Sequence, residues 1–338
     1  MGRTSELGGW NRTMTVAKTN DEEDVPKFTE LRIWFTAVGF LTRLPCPTWC
    51  DHHAVAIMVG AAWYPTIGAI VGTWSAACHG AASALWSAGN VAAAVASAAS
   101  VWMTGCFHED GFGDTLDGIG GGWTKREILT IMQDSRVGSY AAVGFALFFV
   151  SKIALLTELG ESQWSWGKST GAGPALVVAH ALARTAPPAL LVCLPYVDET
   201  QGKDKGEFYR WLGRCRDILN LRRVFFAIAT SLCVSAGLLG VARTVICAAS
   251  VAMVVIGAGI HGQHMLGGIM GDYMGATTCV AEIAVYAILA ADVEGVYAAF
   301  SDDPWKASVP FLFLAGIVAM LVTYCSFFLP LLNRSKCW

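Results

Sequence analysis

The sequence reads as an all-α membrane protein, a polytopic helix bundle of about eight transmembrane helices preceded by a short N-terminal interfacial helix. Three observations carry that reading. Charged residues make up 14% of the chain and hydrophobic ones 54%, whereas soluble domains carry about 25% charge. Apolar segments long enough to cross about 30 Å of hydrocarbon recur along the chain. The basic residues fall in clusters whose spacing suits a single side of a membrane.

Residues 1–28 are polar, include the run Asn20-Asp21-Glu22-Glu23-Asp24 and lack an apolar h-region. They read as a disordered polar tail and not as a signal peptide. Residues 29–334 then form a single multi-pass membrane domain. Its first piece, 29–43 (TELRIWFTAVGFLTR), is amphipathic and too short to span, and Pro45 and Pro47 stop it; an interfacial or re-entrant helix is expected. The spans follow at approximately 55–76, 90–107, 139–158, 173–195, 224–242, 244–262, 276–297 and 310–332.

Charge tests this count. Basic residues gather at Arg43, at Lys125, Arg126 and Arg136, through Lys203–Arg223, and at Arg334 and Lys336. An even number of spans separates each cluster from the next, so all lie on one face, the cytoplasmic type. Asp302 and Asp303 fall opposite. In a bacterium the host would be the inner membrane. The 36 glycines suit close helix approach and leave an oligomer open; the net charge of −3 gives no reason to expect nucleic acid. The eleven cysteines are scattered, and most read as small buried thiols. Cys46 and Cys50 with Asp51, His52 and His53 look like half a zinc site, but no second pair follows.

The chemistry concentrates in Phe107–Gly138, FHEDGFGDTLDGIGGGWTKREILTIMQDSRVG. Asp110, Asp114 and Asp117 are spaced so that, on a helix, they share a sector of roughly 60°. Carboxylates so arranged repel one another unless a cation sits among them, and hard oxygen donors suit Mg²⁺, Mn²⁺ or Ca²⁺. A solvated, glycine-flexible acidic turn would read similarly. The glycine run Gly118–Gly122 and the mixed charges of Lys125, Arg126, Asp134 and Arg136 favour a metal-bound phosphate. His108 reads as a ligand or as an interfacial histidine. Within spans, Lys152 and Arg184 are costly if unpaired, so each should face the bundle interior and meet an aspartate or a phosphate; Lys152 could instead snorkel. Asp272, in LGGIMGDYMG, heads a helix that also carries Glu282, on the same face as the aspartates. It is either a site residue or an N-cap.

These residues carry a pattern. His108–Gly118 (H-x-D-G-x-x-D-T-x-D-G) followed by Ile131–Gly138 (I-M-x-D-S-R-x-G) resembles the cobalamin synthase family, the adenosylcobinamide-GDP ribazoletransferases. Phe40–Pro45, Trp63–Gly68, Leu194–Tyr196 and the stretch from Leu266 to Glu282 agree, in the same order. Glu109 and Gly113 depart from the pattern, where a leucine-like residue and alanine are expected. The resemblance implies a Mg²⁺-requiring membrane enzyme joining α-ribazole, or its 5′-phosphate, to adenosylcobinamide-GDP with release of GMP. Asp110, Asp114 and Asp117 would hold Mg²⁺. Asp134 would complete the metal site or act as general base on the ribazole 5′-hydroxyl. Arg136, with Arg184 or Lys152, would bind phosphate, Gly118 and Gly121 would admit the anion to backbone amides, and Asp272 and Glu282 would face substrate. Two rivals share some features. The CDP-alcohol phosphotransferases begin D-G-x-x-A-R, but Asp114-Thr115 stands at Ala-Arg; a cation transporter would show paired halves, and the aspartate motif has no second copy.

Overall fold

In the computed structural model, residues 27–50, 53–161, 171–197 and 211–291 are described, and they are helical almost throughout. Thr29 caps α1 (Glu30–Leu41) by accepting the amide of Arg32. This helix buries Ile33, Ala37, Val38 and Leu41, the one-sided spacing of an amphipathic helix. A continuous path then runs through α2 (Ala54–Gly60), a 3₁₀ turn (Ala61–Trp63) and α3 (Tyr64–Leu85). Pro65 sits in the first turn of α3, where its missing N–H costs nothing.

The chain returns in α4 (Gly89–Thr104) and then turns through 92° into α5 (Phe107–Gly121). Gly105 and Cys106 both take left-handed backbone angles at this elbow (φ 67° each). That conformation is uncommon for a residue with a side chain, and such residues gather at functional sites. The span expected at approximately 90–107 is found as α4, which ends at Thr104 just before the elbow. A short helix α6 (Lys125–Met132) precedes the long α7 (Ser139–Glu161), α8 (Ala172–Ala183) and α9 (Ala186–Cys193). Pro187 and Pro188 open α9 and divide one span into these two helices. The short α10 (Cys215–Ile218) leads to α11 (Leu221–Leu239), α12 (Val241–Met265) and α13 (Gly271–Ala290).

Six of these paths are long and apolar enough to cross a membrane, and the bent α4–α5 pair makes seven. They match the first seven expected spans; the eighth, 310–332, and the tail 1–26 lie outside the described residues. Helices α3, α8 and α13 form the centre. A β-carbon at Gly72 of α3 would stand 2.6 Å from Leu176 O and Val177 Cα of α8, the close approach that small residues allow between membrane helices. Around this centre α7, α11 and α12 bare apolar side chains outward, among them Leu147, Val150, Phe225, Met253 and Ile260, as lipid-facing helices do.

Loops from distant parts of the chain meet at one end of the bundle. The Arg43 amide donates to Met103 O (2.8 Å). Arg223 at the head of α11 pairs with Glu30 of α1. Tyr196 and Ile269 form an isolated parallel bridge, and the Tyr196 hydroxyl accepts the Gly271 amide (3.0 Å). These contacts tie the segment after α1 to the end of α4, the start of α11 to α1, and the segment after α9 to the start of α13.

Candidate active site

Helix α5 places its three aspartates along one side, as their spacing demands, with Glu109 and Asp110 in the first turn where the helix dipole favours negative charge. A cleft of about 290 Å³ opens on that side, lined by Asp110, Asp114, Asp117, Asp134 and Arg136, with Gly113 and Phe145 among its walls. A second, of about 400 Å³, adjoins it through Asp117, Asp134 and Arg136 and reaches Gly121, Val137 and Tyr140. Five predicted catalytic residues are thus brought together.

Their roles differ. Asp117 is buried, and its Oδ2 accepts the amide of Gly138 (2.6 Å) while Oδ1 accepts that of Ala141 (3.0 Å). It satisfies two of the orphan donors at the start of α7 and welds that helix to α5. Asp110 is exposed and Asp114 half-buried, one turn apart on the cleft wall. Asp134 grips Arg136: the Arg136 Nε donates to both carboxylate oxygens at 3.0 Å and Nη2 reaches Oδ2. These hydrogen bonds hold the Asp134 carboxyl down to about 2 and push the Arg136 guanidinium up. A carboxylate so acidic is a poor general base at neutral pH. Arg136 remains 86% exposed at the cleft rim.

The glycine run is not a loop. It continues α5 to Gly121, and the absent side chains admit neighbours: a β-carbon at Gly118 would collide with Met132 of α6, and one at Gly120 would stand within 2.8 Å of three Tyr140 ring atoms. Gly118 packs α6 against α5 where the sequence suggested an anion cradle. A capping box between Thr124 and Glu127 starts α6.

Asp272 is brought to α5 but not as an N-cap. Met270 holds that position in α13, and Asp272 follows in the first turn with its backbone against Gly111. Lys152, Arg184 and Glu282 lie elsewhere, inside the bundle. Glu282 of α13 takes the Lys152 Nζ of α7 at 2.6 Å on Oε1 and lies 3.2 Å from His180 Nδ1 of α8 on Oε2. Tyr286 also donates to Oε1 (3.1 Å). His180 Nδ1 has Arg184 Nη1 3.0 Å away as well. One ring nitrogen cannot donate to one and accept from the other; we assign its proton to the carboxylate, because Arg184 Nη1 has the His180 carbonyl at 3.0 Å. Sequence reasoning missed His180 and Tyr286, although each stands four residues from its partner, the spacing of helix neighbours.

The donor set of the cleft is oxygen alone. Among the described residues no three His, Cys, Asp or Glu groups stand close enough to enclose an ion; Asp51 and His52 of the half zinc pattern lie outside the described residues. Mg²⁺ does not require one: it keeps water and binds through one or two carboxylates together with substrate phosphates. Asp110 and Asp114 fit that demand.

The family model for cobalamin-5-phosphate synthase matches residues 33–290. The chain belongs to the cobalamin-5-phosphate synthase family. Similar relatives include the adenosylcobinamide-GDP ribazoletransferase of Leptothrix cholodnii, 35% identical over 76% of this chain and 94% of the relative. Those of Shewanella pealeana (31%; 77% and 95%) and Shewanella oneidensis (32%; 77% and 94%) are comparable. No solved structure matches. The cobalamin-5-phosphate synthase region contains every residue of the clefts and of the buried network, and ends where α13 ends.

Proposed function

We propose that this chain transfers the cobinamide phosphate of adenosylcobinamide-GDP to α-ribazole or its 5′-phosphate, releasing GMP, at the cytoplasmic-type end of the bundle. The acidic cleft on α5 carries the reading: two carboxylates on one helix face, with a guanidinium fixed opposite them. Residues of one such cleft could hold a metal-bound diphosphate, and the relatives' names supply its chemical class.

Asp110 and Asp114 would hold Mg²⁺, which supplies charge neutralisation for the diphosphate. Arg136, kept in one orientation by Asp134, donates N–H bonds to phosphate oxygens. The oxygen of an acceptor hydroxyl forms the new O–P bond and gives its proton to solvent, the bond between the two phosphates breaks, and GMP leaves with the electron pair. The family's name describes a product with a 5-phosphate. An acceptor whose 5′ oxygen is already esterified must attack through another ribose hydroxyl, so the 5′-hydroxyl expected from sequence gives way to one shared by both acceptors. Asp117 touches neither partner in this scheme; it fixes the angle between α5 and α7.

Purified protein in detergent should release GMP from adenosylcobinamide-GDP only when α-ribazole or its 5′-phosphate is added. GMP release independent of any acceptor would point to hydrolysis and overturn the transfer.

A further inference from the structure

The network beneath the cleft carries a function of its own. Lys152 is wholly buried and Glu282, His180 and Arg184 nearly so, and they join α7, α13 and α8. Lys152 Nζ also donates to Ser100 Oγ of α4 (3.3 Å). On the fourth side stands Glu109, the first-turn neighbour of Asp110 on α5. It is 6% exposed, lies within electrostatic reach of Lys152, Glu282 and Arg184, and its Oε2 has no hydrogen-bond partner among the described residues. Arg184 Nε is equally without one.

Burying these charges is costly, and apolar side chains of similar volume would hold the helices together as well or better. Stability alone does not account for them. What charges add in a low-dielectric interior is direction: a pair made at one register is lost at the next, whereas apolar faces slide. We propose that the Glu282 network is a positioning device for the aspartate helix. Through Glu109 it sets the rotation of α5, and so the aim of Asp110 and Asp114, without touching substrate. Lys152, Arg184 and Glu282 thereby act as positioning residues, where the sequence suggested phosphate contacts for the two cations and a substrate contact for Glu282. The catalytic part of this inference rests on the transfer reaction proposed above; the structural part does not.

Glu282→Gln alone would leave Lys152 as an uncompensated buried charge and could simply unfold the protein. The decisive variant is the double Lys152→Met/Glu282→Gln, which removes one charge of each sign and keeps shape. Three quantities are read: melting in detergent, hydrogen exchange of amides 107–121, and kcat and KM for GMP release. Melting should stay within about 4 °C of wild type, while α5 amides exchange about tenfold faster or more as the helix loses its register. kcat should fall about tenfold or more, with KM changed less than about threefold, and Glu282→Asp should recover part of the loss. Unchanged α5 protection would overturn the proposal. So would a melting loss far beyond that range, which marks a fold-stabilising pair, or a raised KM at constant kcat, which marks direct substrate contact. Wild-type protein that releases no GMP would sink the reaction instead, and α5 exchange in the double variant would still decide the positioning role.

Discussion

Gly111 of α5 and Asp272 of α13 meet backbone to backbone: a β-carbon on Gly111 would stand 2.6 Å from Asp272 Cα and 2.8 Å from its carbonyl oxygen. Backbone cannot swing aside as a side-chain tip can. Gly111→Ala should therefore push α5 and α13 apart, destabilising by about 1–3 kcal/mol and cutting turnover about tenfold. Gly80→Ala is the control, since nothing lies within 4 Å of its would-be β-carbon; it should gain up to about 1 kcal/mol from helix propensity. Thermal unfolding in detergent and GMP release check both.

The aspartates of α5 should separate by role. Asp110→Asn and Asp114→Asn are expected to abolish nearly all turnover with melting unchanged, because both side chains face the cleft. EDTA should silence the wild type and Mg²⁺ restore it. Asp117→Ala should instead lower stability by about 0.5–2 kcal/mol, the usual worth of a helix cap, and Asp117→Asn should recover only part of that, because its one oxygen serves a single amide and its NH2 faces the other. A metal titration following kcat alongside melting distinguishes the two classes; persistence of full activity after all metal is stripped removes the Mg²⁺ role.

Asp134 and Arg136 give a pH expectation. Hydrogen bonds from Arg136 depress the Asp134 carboxyl from 3.8 to about 2. A depressed value means that the pair contributes fully above the ordinary carboxylate range and fades only as pH falls toward about 2. Asp134 therefore stays ionised through the whole working range, and Asp134→Asn should leave the acid limb of the kcat/KM profile where it was. It should raise KM, because Arg136 loses its anchor. An acid limb that vanishes in Asp134→Asn would restore this residue as the general base.

Topology can be read by cysteine labelling in sealed vesicles, on a background cleared of exposed native thiols. Single cysteines in 108–138 and in 263–275 should label from the same side, and cysteines in 298–308 from the other. Labelling of the first two segments from opposite sides would break both the span order and the shared site.

The helices were legible in the sequence because membrane segments announce themselves by length and composition, and the phase of Asp110, Asp114 and Asp117 already named a helix face. Two things were hidden. The turn at Cys106 depends on a backbone angle that no composition encodes, so the 92° bend after the span at 90–107 was not foreseen. Pairing was hidden too. Residue type marks Lys152 and Arg184 as needing company, but only packing shows that Glu282 and His180 provide it. Likewise the motif flags Asp117 with its neighbours, and its service to the amides of Gly138 and Ala141 appears only once α7 is in place.

The elbow at Gly105 and Cys106 has a bearing on traffic. Because α5 runs crosswise to the α4 span, its acids open at the rim of the bundle and not down a shaft between helices. Under the transfer proposed above, a bulky reactant would arrive and depart at the exposed side of the acidic cleft, without threading a pore. The elbow thus sets the acids of α5 on a surface beside the spans, and not along the length of one.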